Sequence, residues 1–197
     1  MNDNQKVDRT RRKLVVATSV AGGAASLGAA IPFVASMMPS ERTKAAGAPI
    51  EVDISSMAPG ELKVFEWRGK PVWVIRRTKE MVESLKLAAS RLTDPHSGSS
   101  EQPEYAKNEY RARKPDVMVM EGVCTHLGCS PQMKPADAKA EMGADWAGGF
   151  YCACHGSKFD LAGRVFRGAP APTNLTVPPY AFLSESTLLI GEEKKGS

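Results

Sequence analysis

Two short stretches hold all four cysteines of the 197-residue chain and two of its three histidines. They read Cys124-Thr-His126-Leu-Gly-Cys129 and Cys152-Ala-Cys154-His155-Gly-Ser157. In each stretch a cysteine precedes a histidine by two or three positions, so each offers one thiolate and one imidazole to a metal. Two thiolates and two imidazoles suit either tetrahedral zinc or a [2Fe–2S] cluster in which histidines replace two cysteines on one iron. The chemistry predicted from these residues is therefore metal binding.

Two further cysteines, Cys129 and Cys154, are not needed for such a site. Zinc bound by the other four residues would leave them without a role. A disulfide between them would tie the two stretches together, and it would require an oxidising compartment. Closing a loop of roughly 25 residues would stabilise the fold by about 3–4 kcal/mol on the chain-entropy model.

The pattern C-x-H-x-G-C followed by C-x-C-H-G-S resembles the signature of Rieske iron–sulfur proteins. The extra cysteine in each stretch makes it similar to the branch found in cytochrome bc complexes. The resemblance implies one Rieske-type [2Fe–2S] cluster and a mainly β fold, a Rieske-type antiparallel β domain with a cluster-binding subdomain and one helix-loop insertion. It also implies the ligands and the pairing: Cys124 and Cys152 on the inner iron, His126 and His155 on the outer iron, and a disulfide between Cys129 and Cys154.

Two positions at the second stretch bear on the reduction potential of the cluster. In the family a serine donates a hydrogen bond to a cluster sulfide, and Ser157 matches it as a cofactor-binding residue. The family also has a tyrosine that donates to a cysteine sulfur, whereas this chain has Phe159 there. Hydrogen bonds to the sulfurs raise the potential of such a cluster. The missing hydroxyl predicts a potential below that of typical bc-complex Rieske proteins.

The resemblance implies that the chain is the electron-transfer subunit of a respiratory quinol–cytochrome c reductase. The implied partners are ubiquinol, a cytochrome b subunit and a c-type cytochrome. Two histidines would be catalytic: His155 would meet the quinol hydroxyl, and His126 would be a second proton acceptor. Leu127 resembles the family's exposed docking leucine, although a core position is an equally good interpretation.

Two alternatives stay open. The chain could be the small Rieske relay subunit of a periplasmic molybdenum oxidase such as arsenite oxidase, which Phe159 slightly favours. The long insertion over residues 78–114 favours the bc family instead. A structural zinc domain is the other alternative, and the paired spare cysteines disfavour it.

The N-terminal segment has the composition of an export signal and a membrane anchor. Residues 1–13 carry five Lys/Arg and two Asp, and the twin arginine Arg11-Arg12 lies just before an apolar run. Residues 14–38 are 25 positions without a charge. As a helix they would reach about 37 Å, which exceeds the roughly 30 Å hydrocarbon core of a bilayer. We therefore expect a cytoplasmic tail over 1–13, a transmembrane segment over 14–38, and a C-terminal domain in the periplasm at a bacterial inner membrane. The family resemblance implies that the transmembrane segment is kept as an uncleaved anchor.

The formal net charge of +4 is concentrated in this tail. Residues 1–13 contribute +3, which leaves +1 for all residues after them. The remainder is thus close to neutral, and nucleic-acid binding has little support.

Residues 39–49 are polar and small, and by resemblance they form a hinge before a domain over 50–197. Strands are predicted at the following segments: 50–55, 62–67, 72–76, 117–120, 163–166, 175–177, 180–183 and 188–190. Thr78 predicts a helix N-cap, and apolar residues at helical spacing extend the helix to Arg91. The cluster-binding part is expected over about 117–172, where Ala169–Pro172 resembles the family's proline loop. We interpret His96 as a solvent-exposed loop residue.

Overall fold

The computed structural model of the chain describes residues 9–193, apart from the side chains of Arg42 and Ala46. The expectation of a cytoplasmic tail falls partly on residues 1–8, which lie outside the described residues. The chain divides into two compact units, residues 1–45 and 46–197.

The first unit is dominated by one helix. α1 runs from Arg9 to Ser36, is about 42 Å long at 1.5 Å per residue, and buries none of its residues. Among the described residues it is the one helix that is long and apolar enough to cross a membrane. The helix begins before Leu14, where the predicted transmembrane segment starts, because the basic residues around the twin arginine are helical as well. A second helix, α2 (Glu41–Ala46), follows within the predicted hinge, where Ser40 Oγ accepts a hydrogen bond from Thr43 N–H.

The second unit is mainly β, as predicted, and its described residues, 46–193, form three antiparallel sheets of three strands each. Its strands are β1 (Ile50–Asp53), β2 (Leu62–Trp67), β3 (Lys70–Arg76), β4 (Val117–Glu121), β5 (Gln132–Lys134), β6 (Gly149–Cys152), β7 (Ser157–Phe159), β8 (Tyr180–Phe182) and β9 (Thr187–Ile190). The strand orders are β1-β9-β8, β2-β3-β4 and β5-β6-β7. In the first sheet Ile50 lies opposite Ile190, so β1 and β9 join the two ends of the domain.

A two-residue hairpin joins β2 to β3. Arg68 and Gly69 have φ values of 53° and 70°, and Trp67 pairs with Lys70 across the turn. Positive φ at both central residues gives a turn whose twist matches that of the flanking strands. The hairpin places β3 in the middle of its sheet, where it aligns β4 and the loop that follows β4.

The insertion between β3 and β4 begins with a helix. α3 (Lys79–Ala88) starts after Thr78, whose hydroxyl accepts a hydrogen bond from a backbone N–H at 3.3 Å. A 3₁₀ turn over Ala89–Arg91 continues it, so the predicted end of the helical segment is confirmed. The remainder of the insertion is held by side chains. Tyr105 Oη, for example, accepts a hydrogen bond from Tyr180 N–H at 2.8 Å.

Two of the predicted strands are wrong, and several short elements, β6 and β7 among them, were not predicted. Residues 163–166 form only isolated bridges, and residues 175–177 form no strand, although Thr176 O accepts a hydrogen bond from Glu121 N–H of β4. Their apolar character reflects burial, which does not require a ladder partner. β5 and α4 (Lys139–Met142) lie between the two metal-binding stretches. The composition there is polar, so no apolar pattern predicts either element. His96 is exposed in its loop, as expected.

The core beneath the site joins two of the sheets. Trp73 of β3 stacks on Phe150 of β6, with the ring centroids 4.9 Å apart. Gly122, just after β4, lies directly against the Trp73 ring, where a Cβ would overlap the indole. Because interiors are close-packed, these contacts fix β4 and β6 relative to each other. The two loops that follow these strands are thereby fixed as well.

Candidate metal centre

Both metal-binding loops turn in the same way. Gly128 N–H donates to Cys124 O at 3.0 Å in the first loop, and Gly156 N–H donates to Cys152 O at 2.9 Å in the second. Both glycines have left-handed backbones, with φ values of 83° and 81°. A Cβ at either position would meet nothing within 4 Å, so glycine is required for the turn rather than for space. Each cysteine and the histidine that follows it therefore lie within one tight backbone turn.

The two turns bring the four donor groups together as two pairs. The rings of His126 and His155 meet edge to face, with centroids 4.6 Å apart. Cys124 and Cys152 are free cysteines whose side chains contact each other, and each is only 2% exposed. Burial raises the pKa of the Cys124 thiol, while a hydrogen bond from the His126 backbone acts in the opposite direction. The thiols thus form the inner pair of the site, and the imidazoles form the outer pair.

The other two cysteines form a disulfide, which confirms the pairing implied by the resemblance. Cys129 and Cys154 are 25 positions apart in sequence, and their Cα atoms are 6.7 Å apart. The sulfur atoms of Cys129, Cys152 and Cys154 lie within 4.8 Å of one another. Since two of these are bonded to each other, only Cys152 in this group is a thiol that can bind metal. The disulfide therefore links the two loops without supplying a ligand.

A third segment holds both loops. Ala169–Pro172, the predicted proline loop, is tied to the second loop because Ala171 N–H donates to Ser157 Oγ at 3.0 Å. In the first loop the Thr125 hydroxyl donates to Thr173 O at 2.7 Å. Sequence reasoning missed Thr125, because a threonine between two ligands carries no distinctive signal. These two bonds fasten both loops to the same stretch of chain.

Ser157 and Phe159 shape the surroundings of the sulfur atoms. The Ser157 oxygen accepts the Ala171 N–H, so its proton is available to donate, and its partner is the Cys124 sulfur. Phe159 is fully buried and lies opposite Phe150 in the β6–β7 ladder. The serine donor is therefore present, and the position of the second donor is filled by a ring without a hydroxyl.

A group of buried charges lies on the turn after β7. Asp160 and Arg164 form an ion pair at 2.7 Å, and their side chains are only 3% and 2% exposed. Arg77 and Arg111 each donate to a carbonyl oxygen of this turn, at 3.4 Å and 3.1 Å. Sequence reasoning missed the group. The i, i+4 spacing of Asp160 and Arg164 could have indicated a pair, but no pattern marks the other two arginines as buried.

The donor set fits a Rieske-type [2Fe–2S] cluster. Such a cluster takes two thiolates and two imidazole nitrogens, and two free thiols and two adjacent imidazoles are present here. His126 Nδ1 is buried and has no hydrogen-bond partner among residues 9–193. A buried polar nitrogen without a partner is rare in native structures and requires an explanation, which metal ligation supplies.

Comparison with known proteins agrees with this chemistry. Residues 50–180 match the family model "Rieske [2Fe-2S] domain", and residues 1–40 match "Ubiquitinol-cytochrome C reductase Fe-S subunit TAT signal". The chain is 52% identical to the "Ubiquinol-cytochrome c reductase iron-sulfur subunit" of Allochromatium vinosum, across 96% of this chain and 92% of the relative. It is 40% identical to the protein of the same name from Blastochloris viridis, across 97% and 98%. The solved structure "Hyperthermophilic respiratory Complex III" is 28% identical, with a TM-score of 0.47 over 88% of this chain and 98% of that chain.

The sequence matches confirm the Rieske-type cofactor and the twin-arginine signal. They do not favour the molybdenum-oxidase or the zinc alternative. An apolar helix within the signal segment fits a membrane-anchored subunit. The chain therefore belongs to the Rieske [2Fe–2S] family, in the branch formed by the iron–sulfur subunits of ubiquinol–cytochrome c reductase.

Proposed function

We propose that Cys124 and Cys152 hold the inner iron of the cluster and that His126 and His155 hold the outer iron. One observation carries this assignment: the four cysteines divide into two buried thiols beside the histidine pair and one disulfide between the loops. When bound, the cluster supplies a one-electron acceptor. Ser157 supports it by donating a hydrogen bond to the Cys124 sulfur.

The outer histidines handle the proton. His155 is exposed, and we assign it the contact with the hydroxyl group of ubiquinol. Its ring nitrogen that does not bind iron accepts the proton as the electron leaves the quinol, and His126 is the second proton acceptor. Leu127 is 70% exposed and supplies an apolar contact to the cytochrome b subunit that holds the quinol. A c-type cytochrome would be the electron acceptor from the loaded domain.

The chain is anchored so that the domain reaches both partners. Residues 1–13 lie in the cytoplasm, 14–38 span the bacterial inner membrane, 39–49 form the hinge, and 50–197 lie in the periplasm. Basic residues before the span favour this orientation, and the disulfide requires an oxidising compartment.

The hinge has features suited to movement. α2 has six residues, and a helix of that length is marginal on its own, so it rearranges at low cost. The domain end of the hinge is held, because Trp67 Nε1 donates to Ala48 O at 3.1 Å. Backbone change is therefore expected between residues 39 and 47.

Purification from the native membrane in mild detergent, through a C-terminal tag, tests this function. We expect b-type and c-type haem to co-purify, iron to be present and molybdenum to be absent. The reduced protein should give a paramagnetic resonance spectrum with couplings to two histidine nitrogens. Molybdenum without b-type haem would assign the chain to an oxidase, and a cluster without nitrogen coupling would refute the ligand assignment.

Replacing Phe159 by tyrosine is expected to raise the midpoint potential of the cluster. The new hydroxyl would donate a hydrogen bond to a cysteine sulfur, and this bond would stabilise the reduced cluster more than the oxidised cluster. A difference of about 1.4 kcal/mol corresponds to a rise of ~60 mV in a one-electron potential. Redox titration followed by circular dichroism of the cluster measures it. Ser157→Ala should move the potential down. Phe182→Tyr, in β8 of another sheet, should leave it unchanged. An unchanged potential in Phe159→Tyr would contradict the explanation.

A further inference from the structure

The buried charges on the turn after β7 are unbalanced. Three arginine side chains are each at most 3% exposed: Arg77, Arg111 and Arg164. Each of them is attracted electrostatically by the carboxylate of Asp160. That carboxylate is fully engaged: Arg164 donates to one oxygen from Nε at 2.7 Å, and two backbone N–H groups donate to the other.

The other acids that face these arginines are nearer to water. Asp94 faces Arg111 and is partly exposed, and Asp116 faces Arg77 and is exposed. Solvent screens their charge more than it screens a buried charge. The buried group therefore holds three guanidinium cations against one buried carboxylate.

Local hydrogen bonding satisfies only part of the two guanidinium groups of Arg77 and Arg111. Nε and Nη2 of Arg77 and Nε of Arg111 are buried without a partner among residues 9–193. Burial lowers the pKa of both side chains to about 10, with Asp160 opposing the shift. Both arginines therefore remain protonated at neutral pH.

The turn that carries this group lies close in the chain to the second metal-binding loop. Asp160 directly follows β7 and is three positions after Ser157, which corresponds to about 10 Å along an extended strand. Ser157 itself contacts Cys124. Phe159 and Val165, which lie beside Asp160 and Arg164 in the chain, are fully buried. Charges act over such a distance far more strongly through a dry interior than through water.

We propose that the excess of positive charge from Arg77, Arg111 and Arg164 over Asp160 raises the reduction potential of the cluster. Reduction adds one negative charge to the cluster, so a nearby positive charge stabilises the reduced form. The arginines do not touch the cluster and act through the interior field. They offset part of the loss caused by the missing hydroxyl at Phe159. The proposal depends on the ligand assignment given under Proposed function.

The test is the sign of the potential shift in two variants of the full chain, purified with its complex. Asp160→Asn removes a negative charge, and its midpoint potential should rise. Arg111→Gln removes a positive charge, and its potential should fall. A purely structural disturbance, which loosens hydrogen bonds and admits water at the cluster, would move both potentials in the same direction. Shifts in the same direction, or no shift in either variant, would overturn the proposal.

Three controls sharpen the comparison. Arg111→Lys keeps the charge, so its potential should stay near that of the parent chain. Arg167→Gln removes an exposed cation and should leave the potential unchanged. The shifts should also persist at high salt, because buried charges are screened less than surface charges. If the Asp160→Asn variant does not accumulate, the test is the comparison of Arg111→Gln with Arg111→Lys. Equal midpoint potentials in these two variants would overturn the proposal. A parent chain without a [2Fe–2S] spectrum would instead refute the ligand assignment.

Discussion

Replacing Gly149 by alanine is expected to destabilise the domain by about 4 kcal/mol and to prevent stable assembly of the cluster. Gly149 begins β6 with a φ of 153°, a conformation that side chains rarely adopt. A Cβ there would overlap the carbonyl oxygen of Phe159, and it would lie 3.1 Å from the Cα of Asp160. Both obstacles are backbone atoms, so no rotamer change relieves them. β7 would have to move away from β6, and the second metal-binding loop connects these two strands.

Chemical denaturation measures this effect, with far-ultraviolet and cluster circular dichroism recorded together. Gly143→Ala is the matched control. Gly143 also has a left-handed backbone, with a φ of 109°, but a Cβ there would meet nothing within 4 Å. The Gly143→Ala variant should lose only the stability that corresponds to backbone strain at a positive φ, about 1–2 kcal/mol. Equal losses in the two variants would show that steric overlap at β7 is not the cause.

Removing the disulfide is expected to cost about 3–4 kcal/mol of stability. The bond between Cys129 and Cys154 closes a segment of 25 positions, and its loss returns that freedom to the unfolded chain. The double variant Cys129→Ala with Cys154→Ala avoids a stray thiol. Neither residue is a proposed ligand, so a cluster should still form, but it should bleach at a lower temperature because the two loops are joined only through other contacts.

Thermal bleaching of the cluster absorbance gives the comparison with the parent chain. The parent chain treated with a strong dithiol should approach the double variant, whereas the double variant should not respond to the same treatment. A double variant as stable as the parent would contradict a stabilising role for the disulfide. Complete absence of a cluster would instead show that the bond is needed for assembly.

The site depends on three separate attachments for its shape. The disulfide joins the two loops, and the Thr125 and Ser157 hydroxyls join each of them to the segment from Ala169 to Thr173. The stacked pair of Trp73 and Phe150 fixes the strands beneath them. A metal centre held in this way would keep its geometry if the domain moved as a whole about the proposed hinge.

Much of this protein is determined by the sequence itself. The proposed ligands and the turn glycines Gly128 and Gly156 lie within two six-residue segments, and the hairpin at Arg68-Gly69 is equally local. The apolar helix follows from an uninterrupted run of uncharged residues. Local signals of this kind are readable because the interacting atoms are close in sequence, and the family resemblance then supplied the cofactor and the disulfide pairing.

Only the tertiary structure decided the contacts between distant parts of the chain. The Thr125 bond spans 48 positions, and the bond from Arg164 to Leu85 O spans 79. Segments 163–166 and 175–177 were predicted to be strands and proved to be mostly buried loop. The excess of buried arginines was equally invisible, because arginine is usually a surface residue. Such features depend on which surfaces meet when the chain closes, and closure over tens of residues leaves no periodicity in the sequence.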